Sequence, residues 1–264
     1  MDSTSREIEA ATRRKYSGAV YQPETISKSV VHNPSDYSAR MLALKFELIR
    51  QYCLGDPLLD VCCSTGVHLE ALSGGRRLAA GVDFSFPFLA HARQRRGGAM
   101  VLVCANARAL PFRSASIGSA YALSSLYHIP DAGEVIAEIS RVLRPGGRCV
   151  LDMGNSTSLN TIVCRAYPEL AEPCHMPVET MRRMILGAGL RVLVHRRFQI
   201  LPMWGDRPAR LGWLLSPRLA RVMTTMVAGK MLDEWISSLP GLRQFAFRHV
   251  LVCEKPIAGG NTRG

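Results

Sequence analysis

Short apolar runs alternate with helical patterns through the first part of the chain. Runs at 58–62, 78–83, 100–104, 117–124 and 149–153 are bounded by Gly, Pro, Asp or Asn and read as buried strands. Met41, Leu42, Leu44, Phe46, Leu48 and Ile49 predict a helix over 38–53, ended by Gly55 and Pro57. A second helix opens after Gly66 and stops at Gly74 and Gly75, and a third covers 87–96. Val135, Ile136, Ile139, Val142 and Leu143 give an amphipathic helix over 131–143, closed by the turn Arg144, Pro145, Gly146, Gly147.

The second half is less regular. Residues 154–177 are rich in loop signals, 178–186 read as a helix, and 190–201 and 245–253 as strands. Between those strands, apolar residues recur at 211, 214, 215, 219, 222, 223, 226, 227, 231, 232, 235 and 236. That spacing predicts a helical insertion over 207–241, interrupted near Gly229. Residues 1–40 are polar without strong periodicity and read as an N-terminal extension that folds over a site as a lid.

Strands and helices alternating at short spacing predict an α/β fold, a Rossmann-like doubly wound sheet of seven strands. The organisation expected is a single domain over 1–264. Within it lie a lid (1–40), a ligand-binding core (41–155), a substrate-side half (156–255) and a tail (256–264).

Composition narrows the picture. The chain has 264 residues, 47% hydrophobic and 20% charged, as a globular chain does. No apolar run reaches the roughly 18 residues that span a bilayer, and the polar N-terminus shows no secretory pattern. The eight cysteines form no CxxC pair, and several fall in apolar strands. Together these features predict a reducing, cytoplasmic location with no disulfide frame and no metal site. Cys62 and Cys63 read as small residues at a strand end rather than as a redox pair.

The net charge of +12 is uneven. Residues 182–248 hold twelve Lys and Arg against three acids. A basic stretch of this kind suits an anionic partner, whether a phosphorylated substrate, a membrane surface or a nucleic acid, and is also what a solvated face of an arginine-rich chain looks like. Nucleic acid is disfavoured: there is no separate binding module and no basic stripe interleaved with surface aromatics.

The chemistry-bearing stretch is Leu58, Leu59, Asp60, Val61, Cys62, Cys63, Ser64, Thr65, Gly66. It is a strand, a turn of small residues and the start of a helix, the first half of a βαβ unit. Ligands of such folds bind at the strand's carboxyl end. Asp83 ends the second strand, where a carboxylate can take both hydroxyls of a ribose while Phe84 lies against a base. Asn106, after the third strand, can read an adenine edge. A dinucleotide fold would carry GxGxxG here and a P-loop a lysine; this turn has one glycine and no lysine. A ligand without phosphate at the turn suits it better.

With these residues placed, the chain resembles a class I S-adenosylmethionine-dependent methyltransferase. The resemblance rests on the turn 58–66, on Gly81, Val82, Asp83, Phe84 and Ser85, and on Ala107, Arg108, Ala109, Leu110, Pro111 and Phe112. It continues through Leu126, Tyr127, His128, Ile129, Pro130 and Asp131, and through 139–147. It implies S-adenosylmethionine as cofactor and a seven-stranded sheet, mostly parallel with the last strand antiparallel. By match, Asp60, Cys62, Ser64 and Gly66 wrap the methionine and ribose. Asp83 and Phe84 hold the ribose and base, Asn106 and Ala107 face the adenine, and Leu123 and Ser124 lie beside the methyl group.

The chain departs from the family where glycine is usual at Cys62 and Ser64, and where aspartate is usual at Asn106. A side chain in place of glycine restricts φ and close approach. The resemblance therefore leaves two readings: an active methyltransferase, or a catalytically silent relative serving as a binding or regulatory partner. Methyl transfer needs alignment and exclusion of water, and a base only for a hydroxyl or acidic carbon. His128 is the candidate base, with packing or capping as the alternative role. Tyr16, Tyr21, Tyr127 and Trp213 are candidate acceptor-side residues. The insertion carries Trp213, Met223, Met226, Met231 and Trp235 with a margin of Arg207, Arg210, Arg218 and Arg221. It suits a small lipid-like or phosphorylated acceptor, or peripheral contact with an anionic membrane, and it equally suits ordinary packing.

Overall fold

Continuous burial, rather than alternation, marks the central strands, as expected for parallel strands covered on both faces. The computed structural model describes residues 3–19, 22–23, 36–75, 78–96, 100–161, 174–201 and 217–257. β1 (Leu58–Val61), β2 (Ala79–Asp83) and β4 (Ile117–Ala122) are buried at every position. With β3 (Val101–Cys104), β5 (Leu143–Gly154), β6 (Arg191–Phe198) and β9 (Arg248–Glu254) they make one seven-stranded sheet, ordered β3-β2-β1-β4-β5-β9-β6. β9 runs antiparallel to both its neighbours, while the pairs from β3 through β5 are parallel. The strand order reverses between β1 and β4, which opens a crevice at their carboxyl ends.

Helices cover both faces. On one, α5 (Ala132–Val142) and α6 (Val178–Gly187) pack Ile136, Ile139, Met181 and Ile185 against Leu59, Val61, Ala120 and Leu251. On the other, α2 (Asp36–Tyr52) brings Met41, Leu44 and Leu48 onto Leu58, Tyr121, Val150 and Val252. A smaller cluster joins α3 (Val67–Leu72) and α4 (Phe86–Arg96) to the β2–β3 edge through Leu69, Leu89, Ala92 and Leu102.

In the extension, Ser3–Arg14 is a helix, α1, followed by a π-helical turn over Lys15–Ala19. The insertion, expected to be helical with a break near Gly229, has two short helices with a hairpin between them. α7 (Pro217–Met223) leads into a hairpin, β7 (Met226–Val227) with β8 (Lys230–Met231), and then α8 (Leu232–Ser238). Gly229, at φ 76°, sits in the two-residue hairpin turn after Ala228, at φ 47°, and two left-handed residues in succession reverse the chain. Buried Asp233 staples this unit down: it accepts from Tyr37 Oη at 2.6 Å and from the Gln199 amide at 2.6 Å. Tyr21, Arg207, Arg210 and Trp213 lie outside the described residues.

Candidate active site

The turn after β1 keeps the shape that glycine would give without having the glycines. Cys62 and Ser64 stand at φ 64° and 50°, and Gly66 at 70°. Left-handed backbone at non-glycine residues costs about 1–2 kcal/mol each, so the surroundings must impose it. Asp83 does part of this: its Oδ2 accepts from the Ser64 amide and its Oδ1 from the Ser85 amide, both at 2.8 Å. The Cys63 amide donates to Val82 O at 2.9 Å, and Gly66 N to Cys63 O at 2.8 Å. Gly81 is required beneath, because a Cβ there would come within 2.7 Å of Cys63 Sγ.

A cleft of about 330 Å³ opens above this turn. Cys62, Ser64, Asp83 and Phe84 line one part, and Asn106 and Ala107 the next. Leu123, Ser124, Tyr127 and His128 form the far wall, and Tyr16 reaches in from α1's continuation. Asp60 and Gly66 are not on its wall. Asp60 is buried in β1 opposite Tyr121 of β4, with Oδ2 outside any hydrogen bond. Burial pushes its carboxyl up to about 8, against a lowering by the Tyr121 hydroxyl. Burial also pushes Asp83 up, opposed by the amides of Ser85, Ser64 and Phe84. The Cys62 and Cys63 thiols are raised by burial first and then by the nearby Asp83 and Asp60 carboxylates, so neither is a thiolate nucleophile at neutral pH.

Asn106 Oδ1 caps its own loop by accepting from Arg108 N at 3.0 Å. Arg108 holds Glu9 of α1 and, at 3.2 Å, Asp131. Thr12 Oγ1 donates to His128 O at 3.3 Å, and Tyr16 Oη lies 3.2 Å from His128 Nε2. The Arg13 guanidinium rests 5.4 Å from the Phe84 ring centroid. α1 and its π-turn thus form a roof over the part of the cleft near residues 84, 106 and 128.

The wall on the Ser124 side has a buried ionic support. Lys45 of α2 meets Asp152 of β5 at 2.5 Å, with both side chains almost wholly buried. The same Asp152 oxygen accepts from Ser124 N at 3.1 Å and Oγ at 3.3 Å, fixing Ser124 at φ 53°. His68, from the first turn of α3, also lines the cleft. Burial, and then the Lys45 charge, push it down to about 4, so its ring is neutral at physiological pH.

Sequence reasoning missed Glu9, Thr12, Arg13, His68, Lys45 and Asp152. A signal existed for one: Lys45 lies on the face of α2 that carries Met41, Leu44 and Leu48, and a lysine on a buried face needs a buried acid. The others come from contacts between residues as many as 116 positions apart.

Residues 59–151 match the family of methyltransferase domains. The O-methyltransferase cnsE of Penicillium expansum is 31% identical over 147 residues, 53% of this chain and 53% of that one. A demethylmenaquinone methyltransferase of Shouchella clausii (strain KSM-K16) is 32% identical over 139 residues, 50% of this chain and 58% of that one. The chain spans about half the length of the curated relatives it matches. Among solved structures, a geranyl diphosphate C-methyltransferase from Streptomyces coelicolor A3(2) was determined with Mg2+, geranyl diphosphate and S-adenosyl-L-homocysteine. It superposes with a TM-score of 0.56 at 17% identity, over 83% of this chain and 80% of that one. That likeness establishes a shared fold. No helix among the described residues is long and apolar enough to cross a membrane, and no group of them could hold a metal ion.

Proposed function

Because the chain carries a class I S-adenosylmethionine-dependent methyltransferase domain, we propose that it transfers a methyl group from this cofactor to a small acceptor molecule. One observation carries the reading: Asp83 is held at the cleft wall by two backbone amides while it fixes the turn at Ser64. Each carboxylate oxygen keeps a lone pair for a ligand hydroxyl. The residues present fit the cofactor. Asp83 would take the ribose, Phe84 and Ala107 the base, and the left-handed turn 62–66 the methionine end. S-Adenosylmethionine supplies a methyl group already activated on a sulfonium.

The chain's own work is then to align an acceptor at the Ser124 wall and to keep water out. His128, held by Tyr16, is the group that takes a proton from a hydroxyl or acidic carbon; Tyr127 beside it lines the acceptor side. The acceptor we favour is small and lipid-like or phosphorylated. The hairpin and its flanking helices support that reading and peripheral contact with an anionic membrane alike, since Val222, Val227 and Trp235 are exposed and the Lys230 ammonium sits 4.8 Å from the Trp235 ring.

Calorimetry with S-adenosylmethionine and with S-adenosylhomocysteine tests the cofactor site. Binding of neither overturns the proposal. Binding without turnover in a mass-spectrometric screen of metabolite extracts would mark the chain as a silent relative.

A further inference from the structure

The insertion carries two sets of apolar side chains, and the core covers only one of them. Leu219 and Met223 of α7, Met231 of β8 and Ile236 of α8 pack into the cluster that holds Tyr37, Phe198 and Val250. That set accounts for the part of the apolar spacing that ordinary packing explains. Val222, Met226, Val227, Trp235 and Leu239 stay outside it, exposed at 53%, 39%, 47%, 41% and 49%. Half of the fourteen large apolar side chains exposed among the described residues fall within 222–245. Such a concentration marks a contact surface, whereas single exposed apolar residues are ordinary.

Printed into the fold is a set of contacts that holds these residues together. Thr225 N donates to Val222 O at 3.1 Å, and Leu232 N donates to Thr225 O at 2.9 Å, which closes α7 on α8. Met226 and Val227 pair with Met231 and Lys230 across the hairpin. Trp235 Nε1 donates to Val227 O at 2.8 Å, and the Lys230 ammonium lies 4.8 Å from the indole. Leu239 follows Trp235 by one helical turn. The charge on this unit is one-sided. Between 217 and 245 the chain has Arg218, Arg221, Lys230 and Arg243 against Asp233 and Glu234. Both acids are buried: Asp233 holds Tyr37 and the Gln199 amide, and Glu234 is forked by Arg196. The exposed surface of the unit is therefore apolar and cationic, with no carboxylate. A surface of one sign matches a partner that is anionic throughout, as a leaflet of acidic lipids is. With its N–H already bonded, the Trp235 ring can enter a lipid interface without a bare donor.

We propose that Val222, Met226, Val227, Trp235 and Leu239 seat the protein on an anionic membrane surface, with the Ala228–Gly229 turn at headgroup level and Arg221 and Lys230 meeting lipid phosphates. The turn carries no charge that would resist this, and the buried Asp233 anchors the unit to the sheet from beneath. The proposal rests on the membrane contact considered above and gives it residues and one occupant. It does not rest on cofactor binding, because none of these residues lines the cleft.

Sedimentation of the full chain with equimolar phosphatidylglycerol–phosphatidylcholine vesicles, against phosphatidylcholine alone, tests the contact. Binding to the acidic vesicles is expected, weakening as salt rises. Trp235→Ser and Val227→Asp should each lower vesicle affinity about tenfold. Leu186→Ser, at an exposed apolar position on α6, should leave it unchanged. Thermal unfolding checks each variant, and Arg221→Glu, at an exposed position of α7, reads the same face if Trp235→Ser fails to fold. No binding to acidic vesicles, equal binding to phosphatidylcholine alone, or equal loss with Leu186→Ser overturns the proposal. Self-association in light scattering that Trp235→Ser abolishes, without vesicle binding, assigns the face to a second copy and overturns it too. Calorimetry with S-adenosylhomocysteine is a separate measurement, so failure of the cofactor reading leaves the vesicle result standing.

Discussion

Tyr16 Oη lies 3.2 Å from His128 Nε2, and the two rings meet edge-on with centroids 5.3 Å apart. One residue belongs to the roof and the other to the turn after β4. The contact therefore couples closure of the cleft to the placement of the proposed base. Tyr16→Phe keeps the ring against Phe88 and removes the hydroxyl. The expected loss is about 1 kcal/mol of cofactor binding, roughly fivefold in Kd by calorimetry. His128→Ala should lower kcat far more than cofactor affinity; turnover left intact with a verified acceptor removes the base role.

Asp83 has two duties, and its removal should show in both. Asp83→Ala frees the Ser64 and Ser85 amides and takes away the acceptor proposed for the ribose. Hydrogen bonds to a charged group are worth about 1.5–3 kcal/mol, so cofactor affinity should fall by roughly ten- to a hundredfold. An unchanged Kd would place the ribose elsewhere.

Glycine at positions 62 and 64 should change little. The backbone already stands at φ 64° and 50° there. Cys62→Gly or Ser64→Gly relieves about 1–2 kcal/mol of left-handed strain and returns about 0.4–1 kcal/mol through a looser unfolded chain. A slightly higher Tm is expected, with cofactor affinity within about twofold. A large gain in affinity would show that these side chains obstruct the ligand.

Asp60 makes stability depend on pH. Its folded-state value, about 8, lies above the ordinary 3.8. The group's contribution is therefore fully present below pH 3.8 and is lost as pH rises through 8. Asp60→Asn should remove that slope. Denaturant midpoints of wild type and variant, compared from pH 4 to 8.5, should show wild type losing ground toward the alkaline end.

The Lys45–Asp152 pair lies between α2 and β5. Lys45→Met leaves a buried carboxylate without its cation and should cost about 3–5 kcal/mol of folding stability in urea titrations. Adding Asp152→Leu should restore much of it. Failure of the double variant to recover would mean that the Asp152 bonds to Ser124, rather than the ion pair, hold this wall.

The centre of the sheet was legible because its strands are buried on both faces and end in small or acidic residues. β1, β2 and β4 are apolar runs that no amphipathic helix would carry. The elements that escaped were of two kinds. In the insertion, Met226, Val227 and Met231 fall at helical spacing, and strands of two residues are too short for alternation to be seen. α1 is so polar that its few apolar residues leave no stripe, and its place is set by Glu9, Thr12 and Tyr16 meeting Arg108 and His128. Of the site, the side chains that end strands could be read by their place in the turn motifs. Those that arrive from remote helices, Lys45 and the roof residues, could not.

The roof over the cleft is fastened by an ion pair, Glu9 with Arg108, and by hydrogen bonds from Thr12 and Tyr16, rather than by a greasy seam. The ion pair slackens as ionic strength rises, where an apolar seam would tighten. If exchange of spent for fresh cofactor waits on this segment, added salt should shorten the dwell time of the bound nucleoside. The pace of the cycle would then be set partly by the surrounding electrolyte rather than by the chemistry beneath.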